Sequence, residues 1–329
     1  MRAVPDAIRG LIGSALVGSS ENLALIGGSF DEAHVEVTGL SGGSTHRGFH
    51  VAGRAEWFLK LYREPVDGVG REARVLESLR DCPWVPQFGG AVVGVREGRH
   101  LGLGMIQCWV QGASLWDGFV AGGGVAVERF DWSGLGRSLR GLHHALTVGG
   151  GIGTAVELNV IPAELAQTIR AAERSPQVSA EERGVLLQWA EIADGLTEGV
   201  VPEEECGVIH GDLHLGQVLA AGNGGLRFID FEGEPHLKGS CEDVVRESRL
   251  RDLAGMTRSI GYLWDAVGGA WSVEAFVSAF LEGYFGGRAE SEALERCRFF
   301  SLQRAFREWC YEKAHRPEWV QRPLRVPIF

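Results

Sequence analysis

The sequence lacks any uninterrupted run of about 18 apolar residues, the length that a helix needs to cross a bilayer, so we expect no membrane span. The short apolar run at 11–17 has no convincing cleavage site after it, so we expect no signal peptide. No C-x-x-C pair occurs among the six cysteines, which lie at positions 82, 108, 206, 241, 297 and 310. In a chain of this length, scattered cysteines indicate reduced thiols and favour a cytoplasmic location.

Positive charge is also scarce. The chain has 32 lysines and arginines against 43 aspartates and glutamates, which gives a net charge of −11. Nonspecific nucleic-acid binding needs clustered basic charge, so we expect no nucleic-acid partner. The 45% hydrophobic and 23% charged residues are ordinary for a globular protein, and 329 residues are long for one domain, which favours two lobes.

What is present is two polar clusters, each at the end of a short apolar strand. Residues 208–219 read VIHGDLHLGQVL, and residues 227–233 read RFIDFEG. The turn-forming residues between them predict a hairpin that brings Asp212, Gln217 and Asp230 near one another. One carboxylate can accept a proton, while a carboxylate and an amide oxygen are hard ligands suited to Mg²⁺. This combination is typical of phosphoryl transfer, where positioning and charge neutralisation supply most of the rate.

Two other interpretations of this stretch stay open. His210 and His214 lie four positions apart, as zinc ligands can, although a Gly-Asp turn separates them and no third histidine is nearby. Alternatively, the hairpin is purely structural and the acids are there by chance. Both motifs together at this spacing are more specific than either alone.

The first half of the chain reads as a sheet. A glycine- and hydroxyl-rich turn at 39–46 separates two strands, and its backbone N–H groups could approach phosphate oxygens or simply form a turn. Lys60 lies inside the apolar strand 57–62, where it either finds an anion or points to water from an edge strand. In the helix predicted over 69–80, Glu72 falls on the inward stripe, so it either pairs with Lys60 or is solvated.

The order of elements predicts an α+β fold with two lobes. Two further strands, 85–95 and 101–110, complete a small β-rich N-terminal lobe over residues 1–106. Residues 107–112 form a hinge, and residues 113–329 form a larger, mainly helical lobe that carries the inserted hairpin. The helices are predicted around Leu135–Leu142 and over 179–196, 244–267, 273–284 and 291–314. A small-molecule site such as one for ATP is expected in the cleft between lobes.

With these residues identified, the chain resembles the aminoglycoside phosphotransferase superfamily, whose fold is the two-lobed, protein-kinase-like one. Residues 210–217 (HGDLHLGQ) and 230–235 (DFEGEP) are similar to the maltokinase and actinobacterial glucosamine kinase branch, where Gln replaces the usual Asn and the second motif is D-x-E-G-x-P. Residues 250–256 and the tail 311–319 (YEKAHRPEW) resemble the same branch. The resemblance covers roughly 35–329 and is strongest in the second half.

The resemblance implies a role for each matching residue of the second half. Asp212 is implied to be the base that accepts the proton of the attacking hydroxyl. Gln217 and Asp230 are implied to hold Mg²⁺, with Glu232 on a second metal. Asp252 resembles the buried acid that braces the catalytic loop, which is a structural role.

The resemblance also implies a nucleotide site in the first half. Lys60 is implied to contact the α- and β-phosphates of ATP and to be held by Glu72. The residues implied to cover the phosphates are Gly42, Gly43, Ser44 and Thr45. The hinge, including Gln107 and Trp109, is implied to receive adenine through backbone groups.

Several residues are candidates for the acceptor site. His214 either reaches the acceptor or braces the loop. Trp319 could stack on a sugar next to Arg316, or it could pack within the protein. Glu308 and Glu312 lie one turn apart on one helix face and either hold an ammonium or sugar hydroxyls, or are solvated.

We therefore expect an enzyme that uses ATP and Mg²⁺ to phosphorylate a hydroxyl of a sugar or amino sugar, such as glucosamine or maltose. An aminoglycoside-type antibiotic phosphotransferase is the alternative, and a non-catalytic nucleotide-binding regulator is a third interpretation. The sequence indicates no oligomeric state.

Overall fold

The computed structural model describes residues 23–27, 30, 36–40, 47–148, 154–155, 159–222, 224–233, 245–268 and 271–329. Its contacts divide the chain into two compact units. The first unit contains the described residues up to Gly112 and those within 145–154 and 219–244. The second unit contains those within 113–144, 155–218 and 245–329.

A six-stranded antiparallel sheet forms most of the first unit. Its strands, in chain order, are β1 (Leu23–Ile26), β2 (Glu36–Gly39), β3 (Arg47–Ala52), β4 (Glu56–Asp67), β5 (Phe88–Arg96) and β6 (Arg99–Cys108). Their order across the sheet is β1-β5-β6-β4-β3-β2, so β4 and β6 are central neighbours. Helix α1 (Arg71–Ser78) follows β4, within the 69–80 range predicted from the sequence.

The two faces of this sheet differ in chemistry. On one face Phe49, Val51 and Leu59 pack with Trp57 and Ile106 in a buried apolar cluster. Because side chains alternate along a strand, the residues between these positions lie on the other face. That face carries Lys60, Met105 and Gln107, all of them buried, with Lys60 opposite Met105 in the register of β4 and β6.

A hairpin connects the two polar motifs identified in the sequence. Its strands are β12 (Val218–Ala221) and β13 (Leu226–Phe228), so the hairpin predicted from the turn-rich segment is present. Backbone hydrogen bonds tie it to the sheet unit, from the Phe228 N–H to the Trp84 carbonyl at 2.7 Å and from the Gly222 N–H to the Gln111 carbonyl at 3.0 Å. The segment after β13 is thereby fixed beside α1.

Beyond Gly112 the chain is mainly helical. The helices are α2 (Leu115–Arg129), α3 (Trp132–Val148), α4 (Pro162–Glu173), α5 (Ala180–Asp194), α6 (Leu250–Val267), α7 (Val273–Phe285), α8 (Ser291–His315) and α9 (Gln321–Arg325). The short strands are β7 (Gly112–Ser114), β8 (Thr154–Ala155), β9 (Asn159–Val160), β10 (Gly199–Val200), β11 (Cys206–Gly207) and β14 (Val245–Ser248).

Most of the predicted helices are present, and one boundary is wrong. The capping box predicted at Ser179 is formed in both directions with Glu182, and α8 ends before Pro317 as predicted. The predicted helix from residue 244 begins only at Leu250. Residues 245–248 instead form β14, which pairs with β11 and whose Ser248 is fully buried.

Among the described residues, no helix is both long enough and apolar enough to cross a membrane. The five cysteines in that part of the chain, Cys82, Cys108, Cys206, Cys297 and Cys310, are free thiols.

Helices α3 and α7 approach each other closely at two glycines. A Cβ atom added at Gly136 would lie 2.1 Å from the Phe280 carbonyl oxygen, and one added at Gly283 would lie 2.1 Å from the Ser133 carbonyl oxygen. Both distances are to backbone, which cannot rotate away, so the crossing requires glycine at these two positions.

We therefore expect Gly283→Ala to destabilise the protein by about 1–3 kcal/mol through overpacking at this crossing, as measured by urea unfolding. Gly184→Ala is the matched control, since a Cβ at that position in α5 meets nothing within 4 Å. The control should be neutral or more stable by up to about 1 kcal/mol. Equal stability of the two variants would contradict the close approach of α3 and α7.

Candidate active site

The segment that follows β13 carries the acidic motif of the first unit. Asp230 has a φ of 69°, the left-handed region that a non-glycine residue adopts at a cost. The next residue, Phe231, is fully buried and donates its N–H to Glu72 Oε1 at 3.2 Å. Arg71 donates to the Phe231 carbonyl. These contacts to α1 hold the turn, which directs the Asp230 carboxylate toward β4.

One lysine and three carboxylates meet there. Lys60 Nζ lies 2.9 Å from Glu72 Oε2, 2.5 Å from Asp230 Oδ1 and 2.5 Å from Glu232 Oε1. The ammonium is 7% exposed and Glu72 only 2%, whereas Asp230 is 35% exposed. The cluster therefore has a closed end at Glu72 and an open end at Asp230. Of the sequence alternatives, Lys60 pairs with anions and Glu72 is not solvated.

Burial and charge act against each other within this cluster. Burial by itself lowers the pKa of Lys60, but the charges of the three carboxylates outweigh burial, and the pKa lies well above its ordinary value. Burial raises the pKa of Glu72 to about 7, because the Lys60 charge only partly offsets burial and the two other acids add to the rise. Three acids around one cation thus carry more negative charge than the cluster neutralises.

The donor set fits a hard divalent cation. One oxygen from each of Glu72, Asp230 and Glu232 lies within 4.8 Å of the others, and carboxylate oxygens are the ligands that Mg²⁺ prefers. The sequence predicted Gln217 with Asp230 and Glu232 at the metal, and it did not predict Glu72 beside them. Gln217 belongs to the second unit, so its place at this metal stays a prediction.

The hinge leads from β6 into β7. The N–H groups of Cys108 and Trp109 donate to the Gln87 and Glu56 carbonyls, at 2.8 and 2.9 Å. Among the described residues, the backbone N–H of Val110 has no such partner. Gln107 is buried, and its Oε1 accepts no hydrogen bond from any residue that the structure describes. The loop residues Gly42, Gly43, Ser44 and Thr45 lie outside the described residues.

The second unit holds the loop that contains Asp212. Asp252, in the first turn of α6, accepts the N–H of His210 at 2.7 Å and the N–H of Gly211 at 2.9 Å. Gly211 has a φ of 90°, which favours glycine at this turn. His143 Nε2 lies 2.9 Å from Asp252 Oδ2, and its Nδ1 lies 2.8 Å from the Tyr284 hydroxyl. The brace that the family resemblance implied for Asp252 is therefore present.

Hydrogen bonding determines the charge state of that brace. Burial alone would raise the pKa of Asp252, but the hydrogen bond and charge of His143, with those of the loop, hold it below the ordinary value. Asp252 is therefore ionised, and a buried carboxylate that accepts several hydrogen bonds fixes the backbone of the loop.

The side chain of Asp212 has a partner that the sequence did not predict. Arg304, on α8, donates from Nη2 to Asp212 Oδ1 at 2.8 Å and from Nε to Glu308 Oε1 at 3.1 Å. Asp212 remains 33% exposed. Glu308 Oε2 in turn accepts hydrogen bonds from Arg258 and from the Tyr262 hydroxyl. The candidate acceptor carboxylate of Glu308 is thus engaged by internal donors rather than open to a ligand.

Two other predicted residues brace the same loop. His214 Nδ1 accepts the N–H of Gly216 at 3.1 Å and caps the short 3₁₀ turn Leu215–Gln217, so its loop-bracing alternative is present. The N–H of Gln217 donates to the His214 carbonyl at 2.9 Å, and the Leu215 N–H donates to Ser259 on α6. No zinc site forms from His210 and His214 within the described chain.

The candidate acceptor residues at the end of α8 form a cation–aromatic cluster. The Arg316 guanidinium lies 5.2 Å from the ring centroids of both Tyr311 and Trp319, and Arg322 lies 3.9 Å from that of Trp319. Trp319 is 39% exposed, so it is not core. Glu312 pairs with Arg316 through Oε1, and its buried Oε2 has no partner among the described residues. An unpaired buried carboxylate oxygen favours a ligand that donates a hydrogen bond.

Sequence reasoning missed Arg304 and His143. Both act through residues that are distant in the chain, 92 positions away for Asp212 and 109 for Asp252. The one usable signal was spacing, because Arg304 lies one helical turn before Glu308 and must share its face. Nothing in the sequence says that this face contacts the loop at 210–217.

A comparison with protein families places most of the chain in one of them. A sequence profile described as the phosphotransferase enzyme family matches residues 36–300. This range includes Lys60, Glu72, Asp212 and Asp230.

Comparison with solved structures identifies the fold. A glucosamine kinase superposes with a TM-score of 0.66 at 18% identity, over 96% of this chain and 82% of that one. A choline/ethanolamine kinase family protein from Mesorhizobium loti gives 0.54 at 14% identity, covering 88% and 85%. A type I macrolide 2'-phosphotransferase gives 0.52 at 16% identity, covering 97% and 96%. A glucosamine kinase of this fold has also been solved with glucosamine, ADP and inorganic phosphate.

The raised pKa of Glu72 predicts a pH dependence of stability. Since this pKa is about 7 in the folded protein and 4.5 for an unperturbed glutamate, the folded state keeps a proton at pH values between these two, where the unfolded chain has released it. Stability from this group is therefore lost as the pH rises through that window. We expect Glu72→Gln to remove a dependence on the order of 2 kcal/mol between about pH 5 and about pH 7.5.

Urea unfolding of the metal- and nucleotide-free protein at several pH values measures this effect. Glu77→Gln is the control, because Glu77 lies on the same helix, is well exposed and pairs with the exposed Arg80. The control should keep the wild-type pH dependence, and an unchanged slope in Glu72→Gln would contradict the assignment.

Proposed function

We propose that this chain, which belongs to the phosphotransferase enzyme family, transfers the γ-phosphoryl group of ATP to a hydroxyl of a sugar or amino sugar. The observation that carries the proposal is the buried ammonium of Lys60 among three carboxylates. An ammonium held by Glu72 at the closed end of the cluster is positioned to meet a polyphosphate at the open end.

The first unit would hold the nucleotide. Lys60 is assigned to the α- and β-phosphates, and Glu72 fixes its direction through the 2.9 Å ion pair. Asp230 and Glu232, with Gln217 as a further ligand, would hold Mg²⁺, which supplies charge neutralisation for the transferred phosphoryl group. The loop with Gly42, Gly43, Ser44 and Thr45 stays our candidate for covering the phosphates.

Adenine recognition is assigned to the hinge. Because the N–H groups of Cys108 and Trp109 already donate within the sheet unit, Val110 is the next residue of the hinge whose N–H can donate to the base. Within the hinge, the proposed backbone donor to adenine is therefore Val110 rather than Trp109. The amide oxygen of Gln107 offers a buried acceptor on the face of the sheet that carries Lys60.

Asp212 is assigned as the base. Asp252 fixes the backbone of its loop, and the partly exposed carboxylate keeps Oδ2 without a hydrogen-bond partner among the described residues. An acceptor hydroxyl would donate its proton to that oxygen as the O–P bond forms, and the departing ADP would carry the electron pair of the broken bond.

The acceptor class rests on the end of α8. Glu312 offers a buried oxygen to an ammonium or a hydroxyl, and Arg316 and Trp319 lie next to it. This supports an amino sugar or sugar, with glucosamine- and maltose-like acceptors as the first candidates. An antibiotic phosphotransferase is the second candidate function, favoured by the similarity of fold to a macrolide phosphotransferase over 97% of the chain.

We expect Asp212→Asn to lower kcat by at least about 10³-fold while nucleotide affinity changes little, because the variant loses only the proton acceptor. Single-turnover phosphoryl transfer and nucleotide titration measure the two effects. Asp194→Asn is the matched control, since Asp194 also pairs with an arginine but is exposed on α5. Full turnover by Asp212→Asn would end the proposed mechanism.

A calorimetric experiment tests the metal residues without relying on turnover. Wild-type protein should bind ATP more tightly with Mg²⁺ than without it, and Asp230→Asn and Glu232→Gln should each lower this gain about tenfold or more. Glu64→Gln, on the exposed end of β4, should leave the gain unchanged. A gain that persists in both site variants would place the metal elsewhere.

ADP release assayed across a panel of sugars, amino sugars, aminoglycosides and macrolides separates the candidate functions. Turnover on a sugar or amino sugar supports the proposal, and turnover only on an antibiotic supports the second candidate. Nucleotide binding without turnover on any acceptor supports the non-catalytic regulator.

A further inference from the structure

The contact between Arg304 and Asp212 constrains the position of the Asp212 side chain in addition to pairing its charge. Arg304 uses Nη2 for Asp212 Oδ1 and Nε for Glu308 Oε1, so two carboxylates determine the plane of one guanidinium. A planar guanidinium held at two points cannot rotate about either contact alone. Asp212 is held through Oδ1, so Oδ2 is the oxygen that stays available to the acceptor hydroxyl.

The second carboxylate is itself anchored at its far side. Glu308 Oε2 accepts from Arg258 Nε at 3.1 Å and from Arg258 Nη2 at 2.8 Å, and from the Tyr262 hydroxyl at 2.9 Å. Arg258 is fully buried and also donates to the carbonyls of Val326 and Pro323, at 3.0 and 3.1 Å. Positive and negative charges thus alternate from Arg258 through Glu308 and Arg304 to Asp212. This series of ion pairs begins at the buried guanidinium of Arg258.

Electrostatics favours this order of charges. Burial would raise the pKa of Glu308, but the charges of Arg258 and Arg304 hold it below its ordinary value, so Glu308 is ionised. An ionised Glu308 attracts the guanidinium of Arg304 and keeps it from rotating toward solvent.

A glycine provides the space for this arrangement. A Cβ atom added at Gly255 on α6 would lie 2.5 Å from the Leu213 carbonyl oxygen and 2.9 Å from Arg304 Nη1. Helix α6 therefore approaches both the loop of Asp212 and the guanidinium so closely that a side chain at this position would displace one of them.

We infer that Arg304 is a positioning residue for phosphoryl transfer, which holds the Asp212 carboxylate in the orientation needed to accept the proton of the acceptor hydroxyl, and which is itself held by Glu308 and Arg258. This inference rests on the proposed function, since it assumes that Asp212 is the base. It assigns Glu308 to the support of Arg304 rather than to direct acceptor binding.

Kinetics of Arg304→Gln and Arg304→Lys test the inference. We expect Arg304→Gln to lower kcat by about 10–100-fold with the KM for ATP unchanged, because a misplaced base slows the chemical step without altering nucleotide contacts. Arg304→Lys keeps one donor and the charge but not the planar two-point contact, so it should recover part of the loss while its kcat stays below the wild-type value. Arg298→Gln, exposed on the same helix, should leave both parameters unchanged.

A double-mutant cycle with Glu308→Gln shows whether Glu308 affects kcat through Arg304 or independently of it. If Glu308 acts through Arg304, the double variant should lose about as much kcat as Arg304→Gln alone. If the fold-losses in kcat of the two single variants multiply in the double variant, Glu308 does not act through Arg304, and that part of the inference is overturned. All rates are divided by the folded, nucleotide-binding fraction of each variant, so a loss that disappears after this correction marks a purely structural role and overturns the inference.

The Asp212→Asn variant distinguishes failure of this inference from failure of the proposed function on which it rests. Loss of turnover in Asp212→Asn, together with wild-type kcat in both Arg304 variants, would refute the positioning role and leave the proposed base intact. Full turnover in Asp212→Asn would refute the base itself. If Arg304→Gln fails to fold, Arg304→Lys decides alone, and a kcat equal to wild type then overturns the inference.

Discussion

A buried ammonium must be paired, and this requirement organises the first unit. Lys60 lies in the middle of a sheet strand, where an unpaired charge would cost several kcal/mol. Its partners come from a helix twelve residues later and from a turn 170 residues later. The ion cluster therefore fixes α1 and the segment after β13 to the same face of the sheet. The opposite face is apolar, so one face of the sheet packs in the core and the other carries the charged groups of the candidate site.

The same cluster is unbalanced in charge, and the imbalance is informative. Three carboxylates around one ammonium leave an excess of negative charge, which adds to the effect of burial in raising the pKa of Glu72. A cluster built only for stability would be better neutralised or replaced by apolar side chains. Excess acid at a partly exposed position is instead what a site for a divalent cation requires. The strained backbone of Asp230 fits the same interpretation, because strain is kept where a side chain must point in one direction.

The loop of the second unit is constrained twice, by different means. Asp252 holds its backbone through two N–H groups, and Arg304 holds its one acidic side chain. The base that we propose needs both a fixed backbone position and a fixed side-chain orientation, and each of these contacts would supply one of the two. Both partners are on helices, α6 and α8, which pack on each other and form a more rigid frame than loops would.

The sequence predicted those features whose cause is local. The motif at 210–217, the hairpin after it, the strand with Lys60 and the inward Glu72 all follow from spacing and turn chemistry, and the family resemblance and two-lobed fold are confirmed. The predicted helix start at residue 244 was wrong, because the four residues of β14 have no period that separates a strand from the start of a helix. Arg304 was missed because α8 carries several arginines, and only tertiary packing decides which one meets the loop.

If the end of α8 binds the acceptor as we propose, its contacts indicate which groups would give specificity. Stacking a sugar on Trp319 requires space next to a ring that already has Arg322 at 3.9 Å. A cation–π contact at an exposed site contributes roughly 0.5–1 kcal/mol, so exchanging it for a sugar face gains little. Directional groups must then discriminate among acceptors. Glu312, with one oxygen on Arg316 and the other buried without a partner in the described chain, is such a group, because leaving that oxygen unpaired costs more than stacking returns.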